Sequence, residues 1–242
     1  MSLAGRRILV TGAARGLGAV LARQLAEAGA ELILADILEE EGQAVADELN
    51  AGFHRLDLRD PDSIQALGAS LDAPLHGLVN NGAIATGIGG VPFDAVEIDT
   101  WDRVMEVNVR GTWLMIRAAS SALKASGSGR IVNVASDTAL WGAPNLISYV
   151  ASKGAVISMT RALAREMGPD GVGVTAIAPG ILTTESTEYV PEERHQQYQT
   201  GRAVPGPQPP EDVAGTVAFL LSEAALTLTG QVLPVNRGFV YT

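Results

Sequence analysis

The chain has 242 residues, 47% of them hydrophobic and 18% charged, which excludes an intrinsically disordered segment and suits an α/β unit. Its 17 Lys+Arg against 27 Asp+Glu give a net charge of −10, a poor match for nonspecific binding to nucleic acid or an anionic membrane. No cysteines and three scattered histidines (His54, His76, His195) exclude disulfides, thiolate metal sites and a cysteine nucleophile, and no metal is expected.

Short apolar runs alternate with amphipathic segments. Arg7–Thr11 reads as a buried strand. In the segment 16–28, Leu17, Val20, Leu21, Leu25 and Ala28 form a helical stripe, which Gly29 ends. Next come a strand over Glu31–Ala35, a helix over Glu39–Leu49 and a strand over Phe53–Leu56. A helix over Pro61–Leu71 and a strand over Leu75–Asn80 follow. Beyond the loop Gly82–Val96, one long helix is expected from Thr100 to Lys124, then a strand over Arg130–Ala135. A second long helix runs from Leu146 to Met167, followed by a strand over Val172–Ala178. Thr183–Pro210 shows no clean periodicity and carries five of the twelve prolines, so it reads as a lid or binding loop. Glu211–Leu221 is a helix and Gln231–Val235 the last strand.

Seven strands alternating with helices imply crossover connections and a mostly parallel, doubly wound sheet. No linker or repeat divides the chain, so 1–242 is expected to form one domain with the lid at about 183–210. The longest stretch free of Asp, Glu, Lys and Arg, Ala73–Phe93, is broken by Pro74, His76, two asparagines and several glycines, and cannot span a bilayer. The start shows no secretory signal. A soluble, cytoplasmic protein is the expectation.

Thr11-Gly12-Ala13-Ala14-Arg15-Gly16-Leu17-Gly18 lies between the first strand and the first helix. Glycines there let backbone N–H groups approach a pyrophosphate at a helix N-terminus. Asp36 follows 18 positions after Gly18, at the end of the second strand, where an acidic residue accepts ribose hydroxyls in dinucleotide-binding folds. A carboxylate there repels a 2′-phosphate and favours NAD over NADP. Asp36 can equally cap the following helix, and Arg15 could pair with a phosphate.

The marks now assembled resemble the short-chain dehydrogenase/reductase family. Thr11–Gly18 is similar to its TGxxxGxG turn. Asn80-Asn81-Gly82-Ala83 looks like its NNAG element with the last two residues exchanged. Asn108-Val109-Arg110-Gly111 is similar to NxxG. Ser136, twelve intervening residues and Tyr149-Val150-Ala151-Ser152-Lys153 match the serine and YxxxK, and Pro179-Gly180 with Thr184 matches PGxxxT. The marks fall in family order over essentially the whole chain. The resemblance implies a Rossmann-like fold, oxidation of an alcohol or reduction of a ketone with NAD(P), and a homotetramer built on the long helices. Residue by residue, it implies that Gly12, Arg15, Gly16, Leu17 and Gly18 cradle the cofactor and that Asp57 and Leu58 contact its adenine. Asn80 and Gly82 would position it, while Pro179, Gly180, Ile181 and Thr183 would meet its nicotinamide end. Asn108, Ser136, Tyr149 and Lys153 would be catalytic, with Asn108 holding a water that links Lys153 to solvent. Asn236-Arg237-Gly238 departs from a common Asp-Gly-Gly, a change expected to touch the sheet end and assembly.

The chemistry fits the spacing. Tyr149 and Lys153 stand four apart on a helix and share a face. A free tyrosine titrates near 10, so serving as a base at neutrality requires roughly 4 kcal/mol of stabilisation of the phenolate. An ammonium at about 4 Å supplies on the order of 4 kcal/mol at an effective dielectric near 20. Tyr149 is therefore expected to act as general acid/base, with Ser136 holding the substrate oxygen and Lys153 also reaching the ribose hydroxyls.

Substrate choice is expected from Leu140, Trp141, Leu182 and Tyr189, an apolar or aromatic set; Trp141 and the lid tyrosines could instead pack at an oligomer interface. Lid charges are mixed, Glu185, Glu188, Glu192 and Glu193 against Arg194 and Arg202, so a strongly anionic substrate is not favoured, although Arg194 or Arg202 could pair with one carboxylate. The leading expectation is an NAD-dependent dehydrogenase of a hydrophobic secondary alcohol. A 3-oxoacyl-carrier-protein reductase, a sugar or polyol dehydrogenase, and a non-catalytic NAD(H)-sensing protein are the alternatives.

Overall fold

In the computed structural model, which describes residues 2–242, seven strands form one parallel sheet. They are β1 (Arg7–Thr11), β2 (Glu31–Asp36), β3 (Gly52–Arg55), β4 (Gly77–Asn80), β5 (Arg130–Val134), β6 (Gly173–Pro179) and β7 (Val232–Val235), in the order β3-β2-β1-β4-β5-β6-β7. Successive residues of each strand face opposite sides. Ile8 and Val10 join a cluster with Leu21 and Leu25 of α1 (Gly16–Glu27), Val45 of α2 (Glu39–Leu49), and Val213 and Val217 of a helix over Glu211–Leu220. Leu9, between them, joins the opposite cluster. There it meets Ile64 of α3 (Pro61–Ala69), residues of a helix over Thr112–Ala125, and Met167 at the end of a helix over Ile147–Met167. Both faces are covered, which is why these strands read as continuous apolar runs.

β1 pairs with β2 on one side and with β4 on the other, with matching parallel registers. Chain order reverses there, so a crevice opens beyond the carboxyl ends of β1 and β4, the customary ligand position in such sheets.

The expected helix from Thr100 to Lys124 is not continuous. α4 (Ile98–Met105) and α5 (Thr112–Ala125) are separated by a π-helical turn over Glu106–Gly111, centred on Asn108. A 3.6-residue period cannot reveal such a turn, although π-turns collect at functional sites. β4 starts at Gly77, two residues later than its apolar pattern implies. A short helix, α6 (Thr138–Trp141), precedes the long α7 (Ile147–Met167).

The segment 183–210 is also more ordered than expected. It holds a 3₁₀ turn at Glu185–Thr187 and a ten-residue helix, α8 (Glu192–Gly201), of which only Tyr198 is buried. Thr183 is anchored by its N–H, which donates to the Gln208 carbonyl at 2.9 Å. α9 (Glu211–Leu220) completes the helices. Among the described residues, no helix is long and apolar enough to cross a membrane.

Candidate active site

The turn after β1 is packed too tightly for side chains. Gly12 has φ +66°, and a Cβ there would stand 2.6 Å from Gly82 Cα; a Cβ on Gly18 would stand 1.8 Å from the Gly12 carbonyl oxygen. A Cβ on Gly82 would stand 2.9 Å from Leu58 Cδ1 and 3.3 Å from the Gly12 nitrogen, so the two turns lie close together here. Thr11 Oγ1 accepts from the N–H groups of Asn81 and Gly82 at 3.2 and 3.1 Å. Asn81 Nδ2 donates to the Gly12 carbonyl at 2.8 Å and to that of Thr11 at 3.2 Å. The ends of β1 and β4 are thereby stitched together.

Asp36 closes the crevice on the β2 side. Its carboxylate is nearly buried and accepts from Ala14 N–H at 2.9 Å and Leu38 N–H at 3.0 Å. Asp36 therefore holds Leu38, the residue before α2, without capping the helix itself, and it braces the glycine turn. Each oxygen keeps acceptor capacity, and Asp36 lines the crevice. Arg15, at the start of α1, is exposed at the rim. Asp57 pairs with Arg59 at 3.0 Å, which holds its carboxyl below the usual range. Leu58 lies beneath the π-turn, where a Cβ on Gly111 would stand 2.6 Å from the Leu58 carbonyl oxygen.

These groups line one cavity of about 440 Å³ that extends to Ser136, Tyr149 and Lys153. A second cavity of about 390 Å³ meets the first at Ser136, Tyr149 and Gly180. Lys153 is buried, and its Nζ donates to the Val134 carbonyl at 2.7 Å. Burial pushes it down to about 8. Its Nζ stands 5.6 Å from the Tyr149 ring centroid. Tyr149 is shifted upward by burial, and hydrogen bonding with Ser136 opposes this only in part. The expected lowering of Tyr149 by the lysine is thus not present in the protein alone. The ammonium is held by a carbonyl of β5, and desolvation of the phenolate dominates.

Asn108 acts as a clamp. Its Oδ1 accepts from Ile84 N–H at 2.8 Å, and its Nδ2 donates to the Ile84 carbonyl at 3.0 Å and to Ser152 Oγ at 3.1 Å. Ser152 Oγ donates in turn to the Tyr149 carbonyl at 2.8 Å. Both amide hydrogens of Asn108 are therefore spent on protein atoms, and the expected water holder serves here to fix the β4 loop against the tyrosine's helical turn.

Several candidate residues lie elsewhere. Asn80 is buried and donates to Asn133 Oδ1 at 2.9 Å, away from the cavity; its neighbour Asn81 lines it. Gly16 shapes the turn with φ +54° but does not line the cavity. At the other end Pro179, Gly180, Leu182 and Thr184 line the first cavity, whereas Thr183 is turned to Gln208 and Ile181 lines the second cavity. Tyr189 also lines the second cavity and donates its hydroxyl to the Ala85 carbonyl. Leu140 packs in a small cluster behind Ala135 and Ile157. Trp141 does not line either cavity; it packs within the chain, edge-on to Tyr198 and Phe239.

Sequence reasoning missed Asp137. This carboxylate, beside Ser136, is completely buried. It accepts from the Tyr198 hydroxyl at 2.7 Å and from Asn236 Nδ2 at 3.1 Å, and burial raises it to about 6. The Asn236 departure therefore touches the ground beside Ser136 as well as the sheet end. No local spacing signals it, because the partners lie 61 and 99 residues away.

The family model described as enoyl-(acyl carrier protein) reductase matches residues 12–240. The chain is 37% identical to a 3-alpha-(or 20-beta)-hydroxysteroid dehydrogenase of Mycobacterium tuberculosis, over 98% of this chain and 90% of that protein. Among solved structures, one described as an NAD(P)-dependent gluconate 5-dehydrogenase from Beutenbergia cavernae, with NADP at low occupancy, shares 36% identity. It superposes with a TM-score of 0.91 over 98% of each chain. A 3-ketoacyl-(acyl-carrier-protein) reductase from Brucella melitensis, complexed with NADH, shares 33% identity with a TM-score of 0.89, over 98% of this chain and 99% of that one. A doubly wound sheet with this glycine turn and this Ser-Tyr-Lys set defines a nicotinamide-dependent oxidoreductase. The chain belongs to the short-chain dehydrogenase/reductase family.

Proposed function

We propose that this protein is an NAD-dependent dehydrogenase that interconverts a hydrophobic secondary alcohol and its ketone. The observation that carries the reading is the meeting of two cavities at Ser136 and Tyr149. One is lined by the glycine turn, Asp36 and Lys153 and has the residues a dinucleotide needs. The other is lined mainly by apolar and aromatic side chains and suits the alcohol. The segment 183–210, including α8, forms part of that second wall.

When bound, a nicotinamide dinucleotide supplies the hydride acceptor or donor. Gly12, Arg15, Leu17 and Gly18 would hold its phosphates, and the Asp36 carboxylate would accept from the adenosine ribose hydroxyls. A carboxylate already fixed by two N–H groups cannot swing away from a 2′-phosphate, which supports NAD. Ser136 holds the substrate oxygen. Tyr149 accepts the hydroxyl proton in oxidation and returns it in reduction. Lys153, on the next helical turn, would stabilise the phenolate that must be present before oxidation and that remains after reduction.

The test follows NADH or NADPH formation with aryl-alkyl, alicyclic, steroid and polyol alcohols and a 3-hydroxyacyl thioester. Turnover of one apolar class with NAD⁺, lost in Tyr149→Phe, is expected. Turnover of the thioester alone with NADP⁺ would establish the carrier-protein reductase instead. Tight NADH binding without turnover would establish a sensor. The exposed Ile98, Trp101, Trp113 and Ile147 on α4, α5 and α7 support a homo-oligomer, expected to be a tetramer, which sedimentation velocity reads directly.

A further inference from the structure

The second cavity has a charge pattern that its apolar walls conceal. Of the residues lining it, Arg194 alone carries a formal charge at neutral pH. The remaining polar groups are hydroxyls, one asparagine amide and backbone. Arg194 has no carboxylate within 4.0 Å among the described residues. Its neighbour Glu192 accepts from Gln196 instead. One Arg194 hydrogen bond is present, from Nη2 to the Pro144 carbonyl at 3.1 Å. Four of the five guanidinium hydrogens are therefore uncommitted.

The guanidinium is also held in place. It lies over the Trp141 ring, 5.8 Å from the centroid. The Trp141 indole N–H donates to the Tyr198 hydroxyl at 3.0 Å, and Tyr198 donates to the buried Asp137. The ring that supports Arg194 is thus anchored to the residue next to Ser136. Arg202, the other basic candidate in the segment, is excluded. It is buried and donates to the carbonyls of Ile181 and Gly206 at 2.7 Å each.

A partly exposed cation at the wall of a mostly apolar cavity, with donors that no protein atom accepts, can receive an anion carried by an apolar ligand. Planar fork geometry matches a carboxylate best. Resting on the dehydrogenase reading above, we infer that Arg194 binds a carboxylate carried by the substrate, which is therefore a hydrophobic hydroxy acid or keto acid. The Ser136–Tyr149 end then takes the carbinol oxygen, and Arg194 fixes which carbon faces the nicotinamide. A neutral steroid or simple alcohol leaves this cation unpaired and binds less well.

Two measurements test the inference separately from the dehydrogenase reading. The first compares 4-(1-hydroxyethyl)benzoate with its methyl ester as substrates. Wild-type kcat/KM is expected to favour the acid by at least about tenfold, mainly through KM, and Arg194→Gln is expected to erase that preference while Arg194→Lys restores part of it. Equal use of acid and ester by the wild type overturns the inference. So does an Arg194→Gln variant that slows both alike, since that would mark a purely structural role for α8. The second titrates the protein calorimetrically with cyclohexanecarboxylate and with cyclohexanecarboxamide, and needs no turnover. Saturable binding of the acid alone, retained in Tyr149→Phe and lost in Arg194→Gln, supports the site even if no oxidation is found. Absent acid binding, equal binding of the amide, or acid binding insensitive to Arg194→Gln overturns it.

Discussion

The phenol of Tyr198 donates to the Asp137 carboxylate at 2.7 Å, joining α8 to the residue that follows Ser136. Tyr198 also accepts from Trp141 and stacks on Phe239 with ring centroids 4.1 Å apart. One buried hydroxyl therefore fastens the segment 183–210 to the catalytic strand end. Its removal in Tyr198→Phe leaves the buried carboxylate short of a donor and the indole N–H without an acceptor. The expected cost is about 1–3 kcal/mol, read as a lower melting temperature. An unchanged melting temperature would show that water replaces the hydroxyl in both roles.

Asn236 is the second donor to Asp137, and its Oδ1 accepts from the N–H groups of Gly238 and Phe239. An Asn236→Asp variant keeps those two acceptor roles and replaces the donor with a like charge. Asp137 is raised from 3.8 to about 6, so between those values the folded state holds a proton that the unfolded state has released. Its contribution is fully present below about pH 3.8 and is lost as pH rises through about 6. The second carboxylate pushes the window upward. The stability difference between wild type and Asn236→Asp is expected to be small at pH 4 and to widen toward pH 8. Chemical denaturation at both pH values reads it, and a pH-independent difference would contradict this account.

Lys153 gives the opposite sign. Burial lowers it from 10.5 to about 8, so between those values the unfolded state binds more protons than the folded state. Stability from this group rises with pH across that window. Relative to Lys153→Met, the wild type is expected to gain on the order of 1–3 kcal/mol between pH 8 and 10.5. A constant difference would mean that Lys153 stays charged in the fold.

On the proposed reading, Asp36 carries cofactor choice as well as local structure. Asp36→Ser removes the charge and keeps a short oxygen acceptor near Ala14 and Leu38. Its kcat/KM ratio for NADP⁺ over NAD⁺ is expected to rise at least about tenfold, with a modest fall in melting temperature from the weakened N–H contacts. A ratio that does not move would assign the choice to Arg15 at the rim.

The parallel, doubly wound sheet with helices on both faces is legible because most of its strands are apolar runs separated by helical stripes; β3, with Gly52-Phe53-His54-Arg55, is the least apolar of them. Ser136, Tyr149 and Lys153 were legible because family spacing marks them. α8 was not, since Glu192–Gly201 is polar nearly all round and buries only Tyr198. The π-turn was hidden by its own geometry, with Asn108 as the single clue, a poor helix former inside a helical stretch. The family spacing points to Asn80, yet Asn81 lines the crevice: successive residues at a strand end point in opposite directions, and the alternation alone does not say which one faces it. Asp137 has no sequence signature; only the fold brings Tyr198, Arg202 and Asn236 around it.

The central claim is direct hydride transfer from a carbinol carbon, with Tyr149 handling the proton. The most direct test is isotopic: the protein is incubated with NAD⁺ and a secondary alcohol deuterated at the carbinol carbon, and the reduced cofactor is examined by mass spectrometry and proton NMR. This account predicts deuterium on one face of the nicotinamide C4, and a rate about 10²- to 10⁴-fold lower in Tyr149→Phe. Reduced cofactor without deuterium, or an undiminished rate in Tyr149→Phe, would contradict it.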